Sequence, residues 1–304
     1  MSKPRRGRYR IGLACAALAF APLLAHASTA SQLYFDRTVM SAADQRCGLF
    51  SPEVGAALNA ARAQARGAAL RAGVDNEVLR QTALRAQAKA GGVACNSKDL
   101  TIAATRVRVA FDGFSHMLRM VYPGDVASWR ADRTLPIEGP AWRLSQTTAL
   151  NGGGSVTFGM AGQRGQAPRL LAMSDLGGGP APYAARLVVR DPGRAPEPYL
   201  GALQLSSTAR LPLQSRVPPR FAAQVYAAVT REAADYRLLA PGSKSAVAFS
   251  FPASAMDAIA GLDPREAVTV ELVFPGRSGD VVRQAYVEVG DFAAGQAFLT
   301  LARR

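Results

Sequence analysis

The chain has 304 residues, 49% of them hydrophobic, which is enough for more than one domain and a sizeable core. It carries 36 Lys and Arg against 22 Asp and Glu, a formal net charge of +14 at pH 7. Two histidines and three cysteines argue against metal sites built on several His or Cys, and against triads that need spare histidines. We therefore expect no metal and no cofactor.

The first 27 residues have the features of a secretory signal peptide. A basic start, MSKPRRGRYR, precedes the apolar run IGLACAALAFAPLLA and then an A-x-A site, so we predict cleavage between Ala27 and Ser28. The alternative is a retained membrane anchor, but the run from Ile11 to Ala25 is shorter than the roughly 20 residues that a spanning helix needs. No later apolar run reaches that length. The mature protein is expected in the periplasm or outside the cell, without a transmembrane span.

Cleavage changes the charge of the chain. The leader takes five of the 36 basic residues, which leaves 31 against 22 acidic residues and lowers the formal charge from +14 to +9. Arginine supplies nearly all of it, since the lysines of the mature chain are Lys89, Lys98 and Lys244, and no long run of like charge follows the leader. The pattern favours solvated surface arginines, with an anion-binding surface as the alternative. The candidate partner is another envelope component or an anionic polymer, not a nucleic acid.

Residues 28–123 are predicted to form a helical domain. Ser51-Pro52-Glu53 is a good helix start, because it combines a capping serine, a first-turn proline and an acid near the helix N-terminus. That helix should end near Gly73. A second helix is expected from Asp75 to Gly91-Gly92, which gives an antiparallel hairpin.

Two further features belong to this helical segment. A glycine inside a helix costs about 1 kcal/mol relative to alanine, so Gly67 indicates close packing against a neighbour. A third helix is expected to begin after Ser97 and to continue to about Met120.

Cys47 and Cys95 remain after cleavage and flank the predicted hairpin. An antiparallel hairpin brings its ends together, and exported cysteines usually pair, so we predict a disulfide between them. Closing this loop stabilises by about 4 kcal/mol in the chain-entropy model. The alternative is a thiol enzyme in which Cys95 is the nucleophile, His116 its base and Asp112 the orienting acid, one helical turn from the histidine. With the disulfide formed, His116 is expected to be a surface residue.

The second half of the chain changes to short strands and turns. Residues 124–140 are predicted to be a connector, and residues 141–304 a β-rich domain, mainly antiparallel, arranged as a sandwich or curved sheet with one short packed helix. The predicted fold class is α+β. Glycine runs at 151–154 and 177–179 are interpreted as turns, because neither has a phosphate-loop pattern. Residues 219–235 fit a helix or a strand, with the strand favoured.

Five carboxylates of this β-rich domain are candidates for acid/base chemistry, since glycoside hydrolysis uses two carboxylates roughly 5–10 Å apart. Turn formation and the polar face of a strand would equally explain them. The sequence contains no nucleophile elbow and no SxxK motif. The candidates are Asp263, Glu266, Glu271, Glu288 and Asp291.

These patterns lead to two functional hypotheses. The favoured one is an exported envelope protein that acts as a non-enzymatic binding or structural module. The alternative is a periplasmic hydrolase of an envelope polymer that uses the carboxylates as acid and base. The sequence predicts no ligand and no oligomeric state.

Overall fold

The computed structural model describes residues 21–175, 179–200 and 211–300. Most of the predicted signal peptide and two glycines of the 177–179 turn lie outside these ranges. The predicted cleavage position falls within the first helix, and cleavage stays a prediction. No helix in the described ranges is both long and apolar enough to cross a membrane.

The described chain confirms the α+β class, with helices first and antiparallel sheets after them. The α-helices are α1 (Ala21–Cys47), α2 (Pro52–Arg71), α3 (Asn76–Gly91), α4 (Lys98–His116), α5 (Ala253–Gly261) and α6 (Phe292–Leu299). The strands are β1 (Arg119–Tyr122), β2 (Trp129–Asp132), β3 (Ala141–Ala149), β4 (Ser155–Gly162), β5 (Arg169–Asp175), β6 (Ala184–Arg190), β7 (Ala223–Ala227), β8 (Thr230–Ala233), β9 (Val247–Phe251), β10 (Ala267–Phe274) and β11 (Val281–Glu288).

Side-chain caps begin three helices where the sequence predicts them. The Ser51 hydroxyl accepts a hydrogen bond from the Val54 N–H, and Asp75 and Ser97 cap α3 and α4 in the same way. The end of α4 differs from the prediction, because the helix stops at His116 instead of continuing to Met120. From residue 119 the backbone pairs as β1 with β2, so long-range sheet hydrogen bonds replace the helical ones.

Helix α1 organises the helical region and packs against both α2 and α3. Tyr34 of α1 shares one small core with Leu70 of α2 and Leu79 of α3. The predicted disulfide is confirmed: Cys47, the last residue of α1, is bonded to Cys95, which lies just before α4. It therefore links the end of α1 to the loop between α3 and α4.

The strands form two antiparallel sheets. The larger has the order β1-β2-β3-β4-β5-β9-β8, and the smaller has the order β11-β10-β6-β7. The predicted hairpin across residues 151–154 joins β3 to β4, and residues 219–235 contain β7 and β8, which confirms the strand interpretation. The predicted connector contains β2, a member of the larger sheet, and the division into domains stays a prediction.

The main core lies between the two sheets and extends to the helices. It contains Phe158 and Phe249 of the larger sheet and Val268 and Val287 of the smaller one. Helix α5 is the predicted short helix. The C-terminal apolar run forms a second one, α6, which packs on α2 and so joins the helical region to the sheets.

Arg133 strengthens this connection. Its Nη1 donates to the Phe114 and Met117 carbonyls at the end of α4, at 3.3 and 2.9 Å, and its Nε donates to the Phe298 carbonyl of α6 at 2.8 Å. The guanidinium also lies 3.5 Å from the centre of the Phe298 ring. A cation near the carbonyl end of a helix is favourable, so one arginine stabilises two helix ends.

Candidate functional site

Four of the five predicted acid/base carboxylates are buried, and they lie in two neighbouring segments. The backbone N–H of Val289 donates to the carbonyl of Glu266, and that of Gly290 to the carbonyl of Pro264. The ends of β11 and α5 are therefore held side by side. The segments that carry Asp263, Glu266, Glu288 and Asp291 are therefore adjacent, and all four side chains are buried.

Glu288 is fully buried and binds a backbone loop. Its two carboxylate oxygens accept hydrogen bonds from the N–H groups of residues 125–127, at 2.6–2.9 Å. Arg216 lies 3.8 Å away. A Cβ on Gly124 would approach the same carboxylate to 2.6 Å, which explains the glycine. Glu288 therefore anchors the β1–β2 loop to the end of β11.

Asp291 joins the β-rich part to the helical region. It accepts two hydrogen bonds from Arg71 of α2, at 2.8 and 3.2 Å. Burial raises the pKa of Asp291, and Arg71 opposes that shift. A Cβ on Gly67 would lie 2.6 Å from the Asp291 Oδ1, so the close neighbour expected at Gly67 is this carboxylate.

Glu266 and Asp263 form the other two buried ion pairs. Glu266 accepts from Arg190 Nε and Nη2, both at 2.8 Å, in the two-bond geometry that guanidinium and carboxylate groups favour. Burial raises the pKa of Glu266. Asp263 accepts from Arg265 Nε and Nη2, both at 3.0 Å. Arginines interpreted from the sequence as surface charge thus include several that neutralise interior carboxylates.

Glu271 stands apart from the buried four. It lies within β10, 3.2 Å from Arg186 on one neighbouring strand, and accepts from Gln284 on the other. These are cross-strand contacts on one face of the smaller sheet.

All five carboxylates are therefore committed to arginine, amide or backbone donors. Acid/base catalysis needs carboxylates that reach the substrate. Of the five, Asp291 alone lines one of the three main cavities in the described residues. The arrangement is that of structural ion pairs, and the catalytic assignment stays a prediction.

The disulfide argues against the thiol-enzyme hypothesis. Cys95 is bonded to Cys47, so it carries no thiolate. His116 and Asp112 do share a helix face, with His116 Nε2 3.9 Å from Asp112 Oδ1, but both side chains are more than three-quarters exposed. Among the described residues, no group of three or more His, Cys, Asp or Glu is arranged to hold a metal ion.

A cavity of 330 Å³ opens where the helical region meets the β-rich part, and we call it the junction cleft. One wall comes from α1, α2 and α3, including Tyr34 and Ala83. The other comes from the end of α5 and the start of α6, including Leu262 and Pro264. It is the cavity that Asp291 lines.

Two arginines of α2, Arg62 and Arg66, also line the junction cleft. They lie one helical turn apart, so they share a helix face. Arg62 Nη1 donates to the Ser41 hydroxyl at 3.3 Å, and Arg66 Nη2 donates to the Asn76 side-chain carbonyl at 2.6 Å. Neither makes an ion pair with an acidic residue in the described ranges.

Two further cavities lie on the β-rich part. One of 530 Å³ is lined by residues that include Tyr183, Arg186 and Arg231. Another of 330 Å³ contains Glu232, which is ion-paired with Arg169. Neither contains any of the five carboxylates predicted from the sequence.

No protein-family model, curated protein or solved structure matches the chain. The functional interpretation therefore depends on the geometry described above. Sequence reasoning missed the junction cleft, although Arg62 and Arg66 lie four residues apart on a predicted helix. The missing information was the identity of the opposing wall, which comes from residues about 200 positions away.

Proposed function

We propose that the protein is a non-enzymatic binding module of the cell envelope. The observation that carries this proposal is the commitment of all five candidate carboxylates to internal partners, while the junction cleft provides a recessed surface. Ligand sites are typically concave and lie between structural units. The Cys47–Cys95 disulfide supports an oxidising compartment, in agreement with the predicted signal peptide.

The alternative is hydrolysis of an envelope polymer. Its support is that Glu266, Glu288 and Asp291 lie on adjacent segments, and it is opposed by their burial and pairing. A hydrolase would have to release carboxylates from arginine or backbone donors before each turnover. Binding requires no such rearrangement.

Sedimentation with an insoluble envelope fraction tests the proposal. The mature protein is mixed with washed envelope, the suspension is centrifuged, and both bound protein and soluble polymer fragments are measured over time. We expect protein to sediment with the envelope without any release of fragments.

Release of fragments would overturn the proposal if Glu266→Gln abolished it while the variant stayed folded by circular dichroism. Glu138→Gln is the matched control, because Glu138 is an exposed residue of the β2–β3 loop. Absence of sedimentation under all salt conditions would also contradict a binding role for this fraction.

A further inference from the structure

We infer that the junction cleft binds a small organic carboxylate through Arg62 and Arg66, an inference that rests on the proposed binding function. Each guanidinium has five N–H donors and no acceptor. The structure gives each side chain one neutral acceptor, the Ser41 hydroxyl for Arg62 and the Asn76 amide for Arg66. These bonds fix the two side chains at the cleft and leave donors for a ligand.

The acidic groups near the cleft are already engaged. Asp291 accepts both of its arginine hydrogen bonds from Arg71. The two acidic residues that flank Asn76 in sequence have other roles, because Asp75 caps α3 and Glu77 is ion-paired with Arg80. The positive charge of the cleft is therefore not neutralised by the carboxylate that lines it.

A third arginine lies at the contact between α1 and α2. Arg37 of α1 donates to the carbonyl of Ala61, the residue before Arg62. Burial lowers the pKa of Arg37, and no acidic side chain is among the causes of the shift. The α1–α2 contact thus contains a third cation, although Arg37 itself does not line the cleft.

Two ion pairs of the β-rich part provide a comparison for the arginines of the cleft. Arg190 and Arg265 are almost fully buried, and each has a carboxylate in a two-bond pair. Arg62 and Arg66 are half-buried and have neutral partners instead. A negatively charged ligand would neutralise the arginines of the cleft, as Glu266 and Asp263 neutralise Arg190 and Arg265 in the interior.

The remaining walls restrict the rest of the ligand. Apart from the arginines and Asp291, they include the apolar residues Ala83, Leu262, Pro264 and Ala294, which favour an apolar body, and the polar residues Thr38 and Gln87, which favour a polar group on that body. A volume of 330 Å³ is at the small end of the roughly 300–1,000 Å³ range of ligand sites. A planar carboxylate suits the guanidinium fork, and the apolar wall disfavours a hydrated inorganic dianion. The fitting class is a carboxylate on a small apolar body, such as a free acid or the C-terminus of a short peptide.

Isothermal titration calorimetry on the mature, disulfide-bonded protein tests this inference. The probes are isobutyrate, N-acetyl-alanyl-alanine, the C-terminal amide of that dipeptide, and inorganic phosphate. We expect the two carboxylates to bind and the amide to bind at least about tenfold more weakly, since a charge-assisted hydrogen bond is worth about that factor. The two carboxylate probes distinguish a free acid from a peptide terminus as the preferred source.

Variants identify the cleft as the site. Arg62→Gln combined with Arg66→Gln should weaken carboxylate binding by about tenfold or more. Ala83→Leu should weaken it by filling the cleft without changing any charge. Arg106→Gln is the matched control, because Arg106 is an exposed arginine of α4 outside the cleft, and it should leave affinity unchanged. Circular dichroism and Tm establish that each variant is folded.

Three results would overturn the inference: equal affinity for acid and amide, tighter binding of phosphate than of either carboxylate, or unchanged affinity in the folded double variant. A lower Tm of the double variant with unchanged affinity would assign the arginines to structure alone. These results leave envelope sedimentation unaffected, whereas fragment release would overturn the proposed function without reference to the cleft.

Discussion

The helical region and the β-rich part have interiors of different composition. Among the described residues of α1 to α4, nine of the fifteen buried hydrophobic side chains are alanine, and the larger ones include Leu58, Leu70 and Leu79. Between the sheets they are phenylalanine, valine and leucine, together with Trp129. Small side chains allow helices to approach closely but bury less apolar area each. The helical region depends more on its covalent link, and the β-rich part on packing and buried ion pairs.

The largest loss of stability is expected for Glu288→Gln, in the β-rich part. The amide cannot accept all the backbone hydrogen bonds of the carboxylate, and it removes a charge near the buried Arg216. We expect a loss of about 3–5 kcal/mol in the free energy of unfolding, measured by urea denaturation. Glu138→Gln should change it by less than about 0.5 kcal/mol. Equal stability of the two variants would show that the buried pairs contribute little.

The next effect concerns the helical region. Replacing both Cys47 and Cys95 with serine should cost about 2–4 kcal/mol, mainly because the unfolded chain regains conformational freedom. Amide hydrogen exchange should locate the loss of protection in α1 to α4 and leave the central strands β4, β5 and β10 less affected. Equal loss of amide protection in both parts would show that the helical region does not depend on the disulfide more than the β-rich part does.

Smaller changes in stability, of opposite sign, are expected when two helical glycines are each replaced by alanine. In Gly67→Ala the new methyl group would meet the Asp291 carboxylate at 2.6 Å, so we expect a destabilisation of about 1–3 kcal/mol. In Gly113→Ala, within α4, no atom lies within 4 Å of the added carbon, and the variant should gain about 1 kcal/mol. Thermal unfolding of the pair measures both signs. If Gly67→Ala stabilised the protein, the Arg71–Asp291 pair would have to shift away from the new methyl group without loss of free energy.

The smallest effect is expected for an ion pair on the surface. The hydrogen bonds from Arg80 and Gln81 lower the pKa of Glu77 to about 2. Because the folded-state pKa lies below the unfolded one, any stability from this group is present above the unfolded pKa and is lost as the pH falls towards 2. NMR titration of Arg80→Gln should show the Glu77 pKa rising, while Tm at pH 7 stays within error, because solvent screens exposed pairs. A clear drop in Tm would place this pair with the buried ones.

Local signals in the sequence predicted the features that depend on near neighbours. Ser51, Asp75 and Ser97 cap helices because each bonds an N–H two or three residues ahead. The cysteine pairing followed from the count left after the leader and from the position of the two residues around the hairpin.

Features decided by distant residues could not be predicted in this way. The last apolar run becomes a helix because it packs on α2, which lies far earlier in the chain. Glu288 was identified as a conspicuous carboxylate, but its partners lie about 160 residues earlier. The arginine and carboxylate partners of the interior are specified by tertiary contacts, which a charge pattern along the chain does not reveal.

The position of Arg133 has a consequence for how the ends of α4 and α6 unfold. Its guanidinium holds the last carbonyls of α4 and α6 at once, and the Phe114 and Phe298 rings flank it. Fraying of either helix would leave the same buried cation short of acceptors, so the opening of one helix end favours the opening of the other. Through this side chain the ends of α4 and α6 are coupled, and amide hydrogen exchange should show both ends losing protection together.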